Sequence, residues 1–551
     1  MKKIFIMIML AIMLLATTTY AENTTAYSPT FNVSFNGQII ESDYRQFPLI
    51  VYKDITYVPM TYYDCRYLGL TTNWDNDTRT LSINKENITC AYRDYKQESA
   101  NENIFLPTVC DFNIIVNNKK IDNFAEEYPL LTFRDVTYFP LTWRFAVEEF
   151  GWEYSFDSES GLVINSSNPH TEIIKLPDIS GSAAFDGEYY YYNGKAGEDN
   201  VVYAAFHETP NDAYILHQLP NTNLSKSASF VKGNEGMYIR YTAGTSPIMS
   251  SPMFYKIDAK TRTAESKKPD SYMYSAHGYS ELGVRDENIS VFCENPYFDS
   301  ATKITYTKNG QTYEMPTLPG RVRVGCIRVN GKTYDRVSSN DCIKIFGDKI
   351  YFMAFDYESK DYQSGIYVID TNTNTVEKII EEADGAFHVY SGWISAMSPN
   401  SNMIIYGKDG SIYRYVESND KVNLVYDGSG NTDMVLCAAT GGYKIYASLK
   451  SIDGRETVVM SFDAYADGIK ESEKILSTNT GTYTSVSDGK LIVQISGESP
   501  NDKVRMLVVG ANEVSGKAVD FRTSDACTWV FVYDTYLLYG ADGKTVRVNL
   551  E

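Results

Sequence analysis

Five histidines stand at positions 170, 207, 217, 277 and 388, and no His-x-His pair occurs. Eight cysteines at 65, 90, 110, 293, 326, 342, 437 and 527 include no Cys-x-x-Cys. Neither a zinc ribbon nor a thioredoxin-type redox centre is supported by such spacing. The Gly-x-Ser-x-Gly elbow of α/β hydrolases is absent. Thr523-Ser-Asp-Ala-Cys-Thr-Trp529 approaches the Ser/Thr-x-Asp-x-Gly-x-x-Trp turn of sialidase-like propellers, but it lacks the Gly, is one residue short and occurs once. Two carboxylates on different elements could hydrolyse a glycoside, yet among 70 acidic residues any one pair is weak evidence. Asn76-Asp77, Asp370-Thr-Asn-Thr-Asn374 and Asp409-Gly410 could offer oxygens to Ca²⁺. None has EF-hand spacing with a closing Glu, and turns capped by their own side chains are the better account. The 45 tyrosines could form stacking platforms, although a tyrosine more often packs between sheets. No catalytic, cofactor-binding or metal-binding residue is therefore assigned, and the binding residues are unknown.

The elements that would hold a site begin with a duplication. Pro48-Leu-Ile-Val-Tyr-Lys-Asp-Ile-Thr-Tyr-Val-Pro-Met-Thr-Tyr62 returns 81 residues later as Pro129-Leu-Leu-Thr-Phe-Arg-Asp-Val-Thr-Tyr-Phe-Pro-Leu-Thr-Trp143. Such self-similarity marks one small unit used twice. In the first copy Phe31–Phe35 alternates and meets Asn36-Gly37, a hairpin signal. Ile50 to Val58 reads as extended chain around Lys53-Asp54. Pro59 precedes a short helix through Leu68, ended by Gly69. Trp74 to Ile83 reads as a hairpin turning at Asn76-Asp77. The second copy repeats the order with Ile114–Val116, Asn117-Asn118, Leu130–Phe139, Pro140, a helix to Gly151, and Trp152 to Ile164. Its helix would bury Trp143, Val147 and Phe150 on one face. Cys90 and Cys110 bracket the link and are a candidate disulfide, with buried free thiols the alternative.

On these residues both copies resemble the copper amine oxidase-like N-terminal domain, also called the stalk domain. The resemblance covers about residues 29–89 and 108–166, with 90–107 as linker. It implies an antiparallel sheet wrapped on one helix, of a kind common on exported proteins of Gram-positive-type bacteria. It also implies none of the oxidase's copper ligands. Asn118 replaces the hairpin Gly, and Glu153 stands where the first copy has Asp75. Copper in an amine oxidase needs three His ligands and a quinone precursor of the form Asn-Tyr-Asp/Glu-Tyr, which is missing here. An amine oxidase is excluded.

From residue 172 to 551 strand-like runs alternate with Asp/Asn/Gly turns. Runs read as first strands are Tyr189–Tyr192, Met237–Tyr241, Ile289–Phe292, Ile350–Met353, Met403–Tyr406, Lys444–Ala447, Leu491–Gln494 and Tyr536–Tyr539. Their spacing of about 47 residues is that of propeller blades. Eight blades are favoured and seven remain open, with a β-solenoid as the rival. Glu172–Leu176 precedes the first unit and Thr545–Leu550 ends the last, as ring closure requires.

Lys2 and Lys3, an apolar run from Ile4 to Ala16, and Thr19-Tyr20-Ala21 read as a signal peptide over residues 1–21. An uncleaved anchor is the rival, although the run is short of the roughly 20 residues a span needs. The net charge of −20 disfavours nucleic acid. No membrane span is expected after cleavage. The fold expected is thus α+β stalk repeats followed by an all-β propeller, secreted or held at the cell surface of a Gram-positive-type envelope. The function expected is non-enzymatic, needs no cofactor, and consists of binding an extracellular or cell-wall protein or glycan. The alternative is a propeller-based glycoside hydrolase or polysaccharide lyase.

Overall fold

In the computed structural model, Lys53-Asp54 and Arg134-Asp135 all have positive φ, between 49° and 62°. Each repeated segment is therefore a tight hairpin, not a continuous extended chain. Ile50–Tyr52 pairs with Ile55–Pro59, and Leu131–Phe133 with Val136–Pro140. A two-residue turn of this hand matches the twist of its strands. The structure describes residues 24–550 except for internal stretches of at most nine residues each between 178 and 517. Residues 1–21, read above as a signal peptide, and His277 lie outside the described residues. The chain divides into two compact units, Met1–Glu172 and Ile173–Glu551.

In the first unit the two copies exchange strands. Ile55–Pro59 pairs antiparallel with Val136–Pro140, placing Val58 opposite Phe139. Those two residues occupy the same position in their copies, so a local twofold passes between them. Tyr57 and Tyr138 are equivalent and lie across from each other's proline. Thr80–Lys85 of the first copy runs parallel to Asn113–Val116 of the second, and Gly161–Asn165 runs parallel to Val33–Phe35. Each small sheet thus joins the opening hairpin of one copy to the closing hairpin of the other. The hairpin asparagines pin this exchange. Ser166 N donates to Asn36 Oδ1 at 2.8 Å, and Lys85 N donates to Asn117 Oδ1 at 2.8 Å. Asn118 holds φ +64°, a conformation asparagine tolerates, so the missing Gly costs little. A 60-residue unit buries little surface alone. Interleaving gives one shared core, in which Val33, Phe35, Leu49 and Ile83 are joined by their counterparts Ile114, Val116, Leu130 and Ile164.

Three details depart from the sequence reading. The first helix, Tyr62–Tyr67, starts where Thr61 Oγ1 accepts from Asp64 N and ends at Gly69, φ +78°. The second, Arg144–Glu149, is wound wider, with Phe150 N donating to Phe145 O. Its buried face is accordingly Phe145, Ala146 and Phe150, and Trp143 is left 61% exposed. Asp157, not Glu153, is the counterpart of Asp75. Asp75 Oδ1 accepts from Asp77 N and Thr78 N, and Asp157 Oδ1 from Glu159 N and Ser160 N. Trp74 then corresponds to Phe156, and they form matching edge-on ring pairs with Phe112 and Phe31. Finally, Cys90 and Cys110 are both buried and are not bridged to each other. Cys90 Sγ points at Tyr63 O, and Cys110 Sγ lies 3.1 Å from Thr132 Oγ1. Separate partners hold the two sulfurs, so the link is not a disulfide.

The second unit is mostly β, a succession of antiparallel sheets that follow one another along the chain. Among the described residues eight sheets of at least four strands are formed, besides a two-stranded one in which Cys326–Asn330 pairs with Thr333–Val337. Seven of them open in turn at Ala183–Phe185, Ser229–Gly233, Ser271–Ala276, Val322–Val324, Phe387–Trp393, Asn431–Ala438 and Gly481–Ser487. The eighth comprises Val530–Tyr533, Tyr536–Ala541 and Lys544–Asn549, with Thr171–Ile174 added beside the last. Each Tyr-rich run read as a first strand is an inner member of its sheet, in most cases the second strand. Tyr189–Ala196 lies between Ala183–Phe185 and Asp199–Phe206, and Lys490–Ser496 between Gly481–Ser487 and Val504–Val509. These inner strands are buried on both faces, as in Lys349–Asp356, which explains their nearly continuous apolar character.

Candidate functional site

The first strands of several sheets face a common space. Ser229–Gly233, Gly481–Ser487 and Val530–Tyr533 border a cavity of about 1050 Å³. Residues alternate in direction along a strand. Phe230 and Lys232 therefore share one face of the first of these strands, and Tyr483 and Ser485 one face of the second. Gln494 sits directly across from Tyr483 on the neighbouring strand. Thr528, Trp529 and Phe531 complete the wall at and before the third strand.

Neighbouring elements fix these side chains. Gly540 donates its N–H to Trp529 O at 3.1 Å and accepts from Thr528 N at 2.9 Å. A Cβ at Gly540 would lie 2.2 Å from Trp529 Nε1, so only glycine lets the indole settle against that strand. The Lys232 ammonium lies 4.1 Å from the centre of the Tyr533 ring, a cation–π distance. Asn234, at the cavity rim, is held by its backbone N–H, which donates to Asp270 Oδ2 at 2.6 Å. Asp270 in turn receives Arg285 Nη2 at 2.7 Å. Tyr483 is 65% exposed. Four aromatic rings, several neutral hydrogen-bonding groups and one ammonium thus converge, and no carboxylate is among the lining residues.

The residues weighed in the sequence lie elsewhere. His170 Nε2 meets Ser166 O, and His207 Nδ1 meets Glu188 O. His217 packs on the Tyr255 ring at 4.4 Å, with Nε2 3.2 Å from Tyr241 Oη. Burial lowers its pKa and raises that of Tyr241, which suits neutral packed rings better than proton transfer near pH 7. Among the described residues no group of three or more His, Cys, Asp or Glu could hold a metal ion. Asp370 Oδ1 accepts from Asn372 N at 2.9 Å, and Asp409-Gly410 takes positive φ at both residues. Both act as turn formers. In the Thr523–Trp529 segment, Asp525 is buried and accepts from Tyr539 Oη at 2.8 Å. The segment joins two sheets, yet its last residue, Trp529, reaches the cavity. The remaining lining was missed in the sequence because first strands such as Gly481-Thr-Tyr-Thr-Ser-Val-Ser487 are polar and carry a weak apolar signal. The usable signal was position: another strand precedes, in its sheet, each run read from the sequence as a first strand, as Gly481–Ser487 precedes Lys490–Ser496.

His388 gives a pH prediction. Burial first, and the Lys344 charge second, push its pKa down to about 4. Protons then bind the unfolded chain better than the folded one. Its stabilisation is complete above about pH 6.5 and is withdrawn as the pH falls to 4 and below, a change of about 3 kcal/mol by pH 4. In urea unfolding of the second unit at pH 7 and pH 4, His388→Phe is expected to shrink the wild-type difference by about that amount. An equal pH difference in both proteins would contradict the assignment.

The sequence matches no protein-family model and no curated protein. Its fold is similar to several solved structures. An oligogalacturonate lyase in complex with manganese is 11% identical, with a TM-score of 0.33, over 68% of this chain and 98% of that one. A post-proline cleaving enzyme from Rickettsia typhi is 10% identical, with a TM-score of 0.36, over 65% of this chain and 54% of that one. YCF48 from Cyanidioschyzon merolae is 8% identical, with a TM-score of 0.30, over 58% of this chain and 95% of that one. Against prolyl peptidases the chain spans about half of the other protein's length. These likenesses assign no reaction, ligand or partner. They do overturn the reading of the chain as non-enzymatic, because a lyase and peptidases stand among the similar structures. The missing motifs carried that reading too far. Catalytic groups can come from the ends of different sheets, where they leave no contiguous sequence signature.

Proposed function

We propose that residues 173–551 form a closed propeller of eight blades, that its axial cavity binds a ligand outside the cell, and that the interleaved first unit is a stalk-like module that carries it. One observation supports this above the others. Strands at 229–233, 481–487 and 530–533, far apart in sequence, line a single cavity. A linear stack of sheets would keep the second and the last apart, whereas a ring brings them together. The sheet shared by Thr171–Ile174 and Lys544–Asn549 supports the same closure. Loops and inner strands of a rigid ring converge at its axis, which is where binding groups are best held. The basic and apolar N-terminal run supports export, and the stalk-like repeats support a Gram-positive-type envelope as the setting.

The test uses insoluble cell-wall material from a Gram-positive bacterium and the mature chain beginning at Glu22. Wild type is expected to co-sediment with the wall. Ser485→Trp, which fills the cavity, is expected to lose at least ~90% of that retention, a tenfold change equivalent to about 1.4 kcal/mol, while its unfolding transition is unchanged. Equal retention of both proteins, or no retention of wild type, would defeat the reading.

A further inference from the structure

We infer that the ligand of the axial cavity is a chain of neutral sugars, an inference that rests on the cavity being the binding site. The lining joins two kinds of group that sugars need together. Pyranose rings carry an apolar C–H face, which packs on an aromatic ring, and a belt of hydroxyls that both donate and accept. Tyr483 and Trp529 offer the rings. Tyr483 is 65% exposed and lines the cavity, so its ring is presented there and is not spent on the core. Asn234 and Gln494 offer amides, each able to donate and accept at once, which matches adjacent hydroxyls.

Charge narrows the class. Acidic side chains outnumber basic ones 70 to 50 in the chain, yet none is among the cavity residues. A cationic ligand would find no counter-charge there. A polyanion would meet one ammonium, Lys232, against a field of net charge −20. Lys232 instead serves as a hydrogen-bond donor to a hydroxyl or ring oxygen. The volume, about 1050 Å³, is just above the range of about 300–1,000 Å³ for small-ligand pockets, so several sugar rings fit.

The experiment titrates the mature chain, by calorimetry, with tetra- to hexasaccharides of the cello, xylo, manno and chito series. A uronate oligomer and an extended peptide pool are run alongside. At least one neutral series is expected to bind, and affinity is expected to fall about tenfold or more in Tyr483→Ala, the loss of one well-stacked ring contact. Gln494→Leu is expected to weaken binding as well. Tyr483 is exposed, so its removal leaves the fold intact; an unchanged unfolding transition checks this. Binding of uronate or peptide in preference to every neutral sugar would overturn the inference, as would sugar binding indifferent to Tyr483→Ala. Should Ser485→Trp still abolish wall retention while no oligosaccharide binds, the sugar class falls and the cavity reading stands. Should Ser485→Trp leave wall retention intact, the cavity reading itself falls.

Discussion

Deletion of residues 545–551 is expected to abolish the unfolding transition of the whole second unit, not to fray one end of it. Lys544–Asn549 pairs along its length with Tyr536–Ala541 and has Thr171–Ile174 on its other side. Val546, Val548 and Leu550 are buried to 3% exposure or less. Burying three such side chains contributes roughly 5–9 kcal/mol, comparable with the roughly 5–15 kcal/mol that keeps a domain folded. The strand also ties the end of the unit to its beginning, since Arg547 Nη1 donates to Tyr190 Oη at 2.9 Å and its guanidinium lies 5.8 Å from the Phe185 ring. Removing it leaves two sheet edges with unpaired N–H and C=O groups. Calorimetry of the truncated chain should show the first unit's transition alone. A second-unit transition within a few degrees of full length would defeat the closed-ring reading.

The repeat was legible because an offset of 81 residues carried its hairpin signals and its prolines into both copies, and the C-capping glycines, Gly69 and Gly151, follow at an offset of 82 after the wider second helix. The exchange of strands was not. Leu81 next to Ile114, and Leu162 next to Val33, satisfy the same apolar pattern that pairing within one copy would satisfy. Pairing between copies is a choice between equal local patterns, decided by how much surface the shared core buries. The Tyr-rich strands of the second unit were found, but their place in each sheet was misread. Strands before them such as Ser229–Gly233 and Gly481–Ser487 turn one face to solvent or to the cavity, so they look like loops. The site was hidden for the same reason. Tyr483, Ser485 and Lys232 sit where the apolar signal is weakest. The wider winding at Arg144–Glu149 was illegible because periodicity assumes 3.6 residues per turn, and Trp143 was placed inward on that assumption.

Asp64→Ala is expected to destabilise the first unit by about 3–5 kcal/mol, the cost of leaving a buried charge unpaired. Arg45 is fully buried and donates through Nη2 to Asp64 Oδ1; Asp64 Oδ2 accepts from Thr61 Oγ1 at 2.6 Å. The Tyr92 and Tyr95 rings each lie 5.8 Å from the guanidinium. Burial pushes the Asp64 carboxyl up, while Arg45 and Thr61 draw it back down. Since a guanidinium keeps its proton, removing Asp64 strands a cation in the core. The second copy shows the alternative solution. At the positions equivalent to Arg45 and Asp64 it has Glu126 and Phe145, 81 residues on. Phe145 is buried, and Glu126 pairs instead with Arg144 nearer the surface, at 19% and 42% exposure. An apolar filling is therefore compatible with this fold. Arg45→Met combined with Asp64→Leu should recover most of the loss, which a purely additive effect of two damaging changes would not do. Guanidinium unfolding of the first-unit transition in the two single variants and the double variant measures the coupling. A loss below about 1 kcal/mol in Asp64→Ala would place the pair among ordinary surface ion pairs and refute its role as a buried lock between the first helix and the chain before the duplicated hairpin.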